Sequence, residues 1–149
     1  MVNPTTIRAA LAVLGLALAA ATASARPLTP AEKRYFPFSG RVPLCDASGV
    51  LERITSGFAD REGQYWESGL TIVNYDRVSE IGLRSTGLDH IPRRYCIARV
   101  QFNTGAVSTV NYQIVEDSGF IGFGYGVDWC VEGLDRQFSF APACKQARP

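Results

Sequence analysis

His90 is the chain's only histidine, and Asp89 stands directly before it. A carboxylate beside an imidazole can hold it as a general base, so His90 is the candidate for hydrolytic chemistry. Ser85 and Ser118 are the hydroxyls it would activate. The chain has no G-x-S-x-G elbow, and one histidine without a placed nucleophile is not a triad. The expected role of His90 is therefore a loop histidine bonded to Asp89 or to backbone. Arg93 and Arg94 open a strand pattern. Neighbouring strand residues point to opposite faces, so the two do not make one anion clamp. One of them is expected to pair with Glu80 or Asp89 as an exposed ion pair, with anion binding as the alternative. Asp128 and Glu132 lie four positions apart on a predicted strand, which separates them by ~13 Å. Paired-carboxylate glycoside chemistry uses ~5–9.5 Å, so that reaction is excluded. Gly133-Leu134-Asp135-Arg136 predicts a turn held by its own acid–base pair.

The stretch Phe120 to Glu132 predicts a strand with an unusual division of labour. Ile121, Phe123, Tyr125, Val127, Trp129 and Val131 share one face, and Gly122, Gly124, Gly126, Asp128 and Cys130 share the other. The bulky row belongs in a core. The glycine row would leave bare backbone, which in strands marks close approach by another chain segment or a ligand. Gly-Phe-Gly-Tyr-Gly is not a phosphate loop, because no helix start and no Lys-Ser/Thr follow it. Gly122, Gly124, Gly126 and Asp128, with Arg93 and Arg94, are thus the candidate ligand-binding residues, as a groove or a strand-pairing site. The competing expectation is self-coverage: residues 134–143 fold back, and Phe138 and Phe140 lie over the strip.

The four cysteines are Cys45, Cys96, Cys130 and Cys144. No C-x-x-C pair and only one histidine accompany them, so no metal site is expected, and no motif calls for a cofactor. An even number in an exported chain predicts two disulfides, with three possible pairings. Cys130 and Cys144 are closest in sequence, which favours Cys130–Cys144 with Cys45–Cys96. In a meander the second and fourth strands are ~10 Å apart, which disfavours Cys96–Cys130 because a bridge needs Cα atoms within ~7 Å.

Export itself is read from residues 1–25. Arg8 is followed by the Ala- and Leu-rich run from Ala9 to Ala21 and by Ala23-Ser24-Ala25, a signal-peptide pattern with the cut after Ala25. The mature chain then carries equal numbers of acidic and basic side chains. That balance, and 46% hydrophobic against 19% charged residues overall, describes one globular domain and excludes nucleic acid as a general partner. No stable membrane insertion is expected after cleavage.

The positioning elements follow in order. Residues 26–44, with Pro27, Pro30, Pro37 and Pro43, predict an extended arm anchored by Tyr35, Phe36 and Phe38. Residues 45–149 form a single domain. Within it, residues 46–66 predict a helix capped by Asp46 or Ser48, burying Val50, Leu51, Ile54, Phe58 and Tyr65, with Glu62 and Arg61 outward. Strands are predicted over 70–83 (with a bend near Asp76), 93–102, 106–115 and 120–132. The fold class is α+β: one N-terminal helix on a four-stranded antiparallel meander, stapled by disulfides. Its element order is similar to that of cystatin-like and nuclear-transport-factor-like domains.

Ile91-Pro92-Arg93-Arg94-Tyr95-Cys96 together with Cys130-Val131-Glu132-Gly133-Leu134-Asp135-Arg136 resembles small secreted bacterial proteins. The resemblance spans most of the mature chain. It implies a secreted class and brings no catalytic residue with it. The expected function is a non-catalytic exported binding module, periplasmic or secreted, whose partner is a protein or small ligand of the cell envelope. The alternatives are a small hydrolase using His90 and a structural or inhibitor-like envelope protein.

Overall fold

The computed structural model describes residues 38–85 and 91–149. The signal segment, the arm up to residue 37, and Asp89 with His90 lie outside the described residues. Helix α1 spans Ser48–Arg61 and continues into a π-helical turn, Glu62–Trp66. Strands β1 (Ile72–Arg84), β2 (Arg93–Phe102), β3 (Val107–Val115) and β4 (Gly126–Val131) form one sheet in that order, every neighbouring pair antiparallel. The expected α+β meander is the fold.

Helix α1 forms because Val50, Ile54 and Phe58 recur at helical spacing and bury one stripe. No side chain caps its start: Ala47 occupies the cap, and the Val50 amide donates to the Ala47 carbonyl at 2.9 Å. Asp46 and Ser48 do not take that role, because the helix starts one residue later than an Asp46 cap requires and one earlier than a Ser48 cap requires. Gly57 admits a close neighbour, since a Cβ there would stand 3.4 Å from Trp129 Nε1. After Arg61 the helix widens, and the Glu67 amide donates to the Glu62 carbonyl five residues back. The wider turn swings Tyr65 off the buried stripe, leaving it 64% exposed. Glu62 lies instead in the fully buried position four residues after Phe58.

The stripe packs on the inner face of the sheet. Cys96, Ala98, Val100 and Phe102 of β2, Val110, Tyr112 and Ile114 of β3, and Val131 of β4 complete that core. Phe58 stacks on Phe102 at 5.5 Å and meets Trp129 at 5.9 Å. Tyr112 donates to the Cys45 carbonyl at 2.8 Å, and burial pushes its phenol strongly upward. β1 bends where the sequence breaks alternation: its register shifts between Asp76 and Ser79, with Arg77 in the left-handed region.

Both disulfides pair as expected. Cys45–Cys96 has Cα atoms 5.8 Å apart and Cys130–Cys144 has them 5.6 Å apart. The second bridge fastens the C-terminal tail over the outer face of the sheet. Cys144, Ala147 and Phe140 pack against Cys130. The final residue reaches β1, where a Cβ on Gly82 would stand 3.3 Å from Pro149 Cγ.

The fourth strand departs from expectation. It begins at Gly126, not at residue 120, and a short 3-10 turn occupies Phe120–Gly122. Ile121, Gly122 and Gly124 adopt positive φ, and the Gly119 amide donates to the Gly124 carbonyl at 3.1 Å. Glycine's access to positive φ lets the segment curl into a loop rather than extend. Of the bulky row, Tyr125, Val127, Trp129 and Val131 pack on the core, whereas Ile121 and Phe123 do not.

The start of the described chain is clamped by a carboxylate. Glu116, buried after β3, accepts from the Ser39 amide at 2.7 Å, the Ser39 hydroxyl at 2.6 Å and the Gly40 amide at 2.8 Å. Desolvation pushes this carboxyl up, but those three donors and the Arg41 charge outweigh it and hold it below the ordinary glutamate range. A carboxyl lowered on folding contributes its full stability above its unfolded pKa and loses it as pH falls through the folded one. Glu116→Gln is expected to cost about 1.5–3 kcal/mol at neutral pH, the value of hydrogen bonds to a charged group. The cost should shrink as pH falls below ~4.3, where Glu116 of the unfolded chain begins to protonate, and should be gone once pH has passed below the lowered folded pKa. Urea unfolding of both proteins across that range measures it; a pH-independent difference would contradict the clamp.

Candidate functional site

The six sequence-predicted binding residues do not converge. Arg94 pairs with Glu80. Arg93, on the opposite face, donates to Gln113 Oε1 at 3.2 Å, and Gln113 Nε2 donates to Asp128 Oδ2 at 3.0 Å. Arg93 and Asp128 are thus the two ends of a relay across β2, β3 and β4, and each has a structural partner. Gly122 and Gly124 sit in the loop before β4 and provide its left-handed positions. Gly126 is buried, and a Cβ there would fall 2.4 Å from the Ser118 carbonyl oxygen. The glycines therefore form no continuous strip. Phe138 covers nothing at this place, being 77% exposed itself, and Phe140 packs on the Cys130–Cys144 bridge.

These glycines build a braced wedge. At its tip Phe120, Ile121 and Phe123 are 86%, 77% and 80% exposed. Gly119 permits a tight base, since a Cβ there would stand 2.1 Å from the Phe123 carbonyl oxygen. Arg53 of α1 locks the return strand: its Nη1 donates to the Tyr125 carbonyl at 2.6 Å, and its guanidinium lies 4.2 Å over the Tyr125 ring. Three large apolar side chains are thus exposed on one short loop, unlike singly scattered exposed residues. The signal was present in the Gly-Phe-Ile-Gly-Phe-Gly composition, which suits a glycine-shaped turn as well as a strand.

A second feature lies at the C-terminal end of α1. Glu62 is fully buried there, accepts from the Ser68 hydroxyl at 2.6 Å and forms an ion pair with Arg136 Nη1 at 3.2 Å. Arg136 therefore pairs with Glu62 and not with Asp135. Asp135 instead accepts from the Ser139 amide at 3.0 Å and the Phe140 amide at 2.8 Å, closing the turn after β4. Arg136 lies 4.8 Å over the Trp66 ring, and Arg61 lies 4.0 Å over the Trp129 ring. Burial lowers the Arg61 pKa, opposed by the nearby Glu62 and Asp135 charges. Between these groups opens a cleft of about 150 Å³ with Tyr65, Leu134 and Ser139 on its walls. The i, i+4, i+8 series Ile54, Phe58, Glu62 was the available sign that Glu62 faces inward.

A wider hollow of about 240 Å³ beside β1 and β2 includes Asp76 and Arg99, which pair with each other across two hydrogen bonds. The bond from Arg99 holds the Asp76 carboxyl below its usual range. Among the described residues, no group of histidine, cysteine and acidic side chains could hold a metal ion, and no helix is long and apolar enough to cross a membrane. The two disulfides fit an oxidising compartment. No protein-family model matches the chain, and neither a curated protein nor a solved structure matches it.

Proposed function

We propose that the chain is an exported, non-catalytic interaction module that seats its 117–125 loop in an apolar cleft of a partner protein of the cell envelope. The observation that carries this reading is the exposure of Phe120, Ile121 and Phe123 on a loop braced by Arg53 and Tyr125. A braced loop loses little conformational freedom on binding, and aromatic anchors entering pockets supply most interface energy. A protein cleft is favoured over a bilayer surface because residues 116–126 contain Glu116 and Asp117 and no lysine or arginine, whereas anionic lipid attracts basic segments. The signal-peptide pattern of residues 1–25 and the two bridges support a periplasmic or secreted location.

A photo-crosslinking residue at position 120 or 123 tests the reading in native envelope preparations, with one at Val73 as control, an apolar site 59% exposed on β1. A discrete protein adduct from the loop, lost in competition with unlabelled wild type but not with Phe120→Ser/Phe123→Ser, is the expected result. The double variant should keep its unfolding midpoint, because exposed positions alter stability by no more than ~0.5 kcal/mol. Identical adducts from Val73, or vesicle binding that the double variant abolishes, would overturn it.

A further inference from the structure

We infer that residues 26–37 dock on the 117–125 loop of their own chain and shield it until a partner displaces them. The displacement rests on the function proposed above; the docking does not. The place where the described chain begins identifies this occupant. Ser39 and Gly40 are fastened to Glu116, their amides 2.7 Å and 2.8 Å from its carboxylate oxygens. Glu116 is the residue before the loop, so arm and loop leave from one anchor point. Phe36 and Tyr35 stand three and four residues before Ser39, and Phe120 stands four residues after Glu116. An extended chain spans ~3.3–3.6 Å per residue, so the arm aromatics and the loop tip have matching reach, up to ~14 Å from the anchor.

Charge complements this geometry. Residues 26–37 carry Arg26, Lys33 and Arg34 against Glu32, whereas residues 116–126 carry Glu116 and Asp117 and no lysine or arginine. Asp117 is exposed, and Arg53, which braces the loop, is committed to the Tyr125 carbonyl and ring. Leu28, Tyr35 and Phe36 are the arm's apolar counterparts to Phe120, Ile121 and Phe123. Pro27, Pro30 and Pro37 fix φ at their positions, which reduces the freedom lost on docking. A tether this short gives an effective concentration on the order of millimolar, so the chain's own segment outcompetes that of a second copy in dilute solution.

An aromatic photo-crosslinking residue in place of Phe123, in the purified chain beginning at Arg26, tests the docking without any partner. Peptide mapping should place its adducts within residues 26–37 of the same molecule, with a yield independent of protein concentration. The same residue at Val73 should give no arm adduct. Tyr35→Ser/Phe36→Ser should cut the arm adduct severalfold, and Lys33→Glu/Arg34→Glu should cut it at low salt. In envelope preparations, Tyr35→Ser/Phe36→Ser should give severalfold more partner adduct from position 123 than the wild-type arm does. No arm adduct, arm adducts of dimer mass, an equal yield from Val73, or yields unchanged in both arm variants would overturn the docking. A partner adduct unchanged in a variant that has lost its arm adduct would overturn the shielding. Arm adducts without any partner adduct would overturn the partner reading of the loop, and the displacement with it, while the docking stands.

Discussion

Replacing Cys45 and Cys96 together with alanine is expected to lower the unfolding free energy by about 4 kcal/mol, the chain-entropy value for the 51-residue separation that this bridge closes. Two features push the effect toward that full value. Both half-cystines are buried in the main core. The Cys45 carbonyl also accepts from the buried Tyr112 hydroxyl at 2.8 Å, so the bridge holds the pre-helix segment against β3 as well as β2. Small domains retain only ~5–15 kcal/mol of net stability, so this loss leaves little margin. Breaking Cys130–Cys144, with a separation of 14, should cost less, about 3 kcal/mol by the same argument. Denaturant unfolding of the Cys45→Ala/Cys96→Ala protein, with the other bridge intact, measures the effect. A loss below about 1 kcal/mol would mean that the bridge does not restrain the unfolded chain as the entropy model requires.

Arg136→Met is expected to destabilise by about 3 kcal/mol, the lower end of the range for removing one member of a buried ion pair. The lower end applies because Arg136 is 31% exposed while its partner Glu62 is fully buried. Methionine preserves much of the arginine stem and its contact with Trp66, so the loss isolates the charge. What remains to Glu62 is the Ser68 hydroxyl at 2.6 Å. A double-mutant cycle with Glu62→Gln checks the mechanism. Once the carboxylate is gone, Arg136→Met should cost at least 1 kcal/mol less than in the wild-type background, well outside the ~0.3–0.5 kcal/mol scatter of independent sites. Additive losses would show that the Glu62 carboxylate is not the group through which Arg136 stabilises the fold.

The contrast between β3 and β4 shows what was readable in the residues and why. Val110, Tyr112 and Ile114 alternate with Asn111 and Gln113 without a glycine, and that segment is a strand over nearly its predicted length. The Phe120–Tyr125 segment alternates equally well, but its small residues are glycines, and backbone freedom there outweighs period-two patterning. Local spacing also disclosed the bend in β1 and both disulfide pairings. The relay from Arg93 through Gln113 to Asp128 was not readable, because it depends on the register of three strands. The meeting of Arg61 with Trp129 likewise depends on where α1 crosses β4, a tertiary fact without a local signature.

The two bridges join consecutive cysteines, Cys45 to Cys96 and Cys130 to Cys144, and their loops neither nest nor overlap. For a chain threaded N-terminus first into an oxidising space, each thiol meets its correct mate before any later competitor has emerged. Sequential oxidation therefore yields the native connectivity directly, and a disulfide-shuffling enzyme has no wrong pairing to repair.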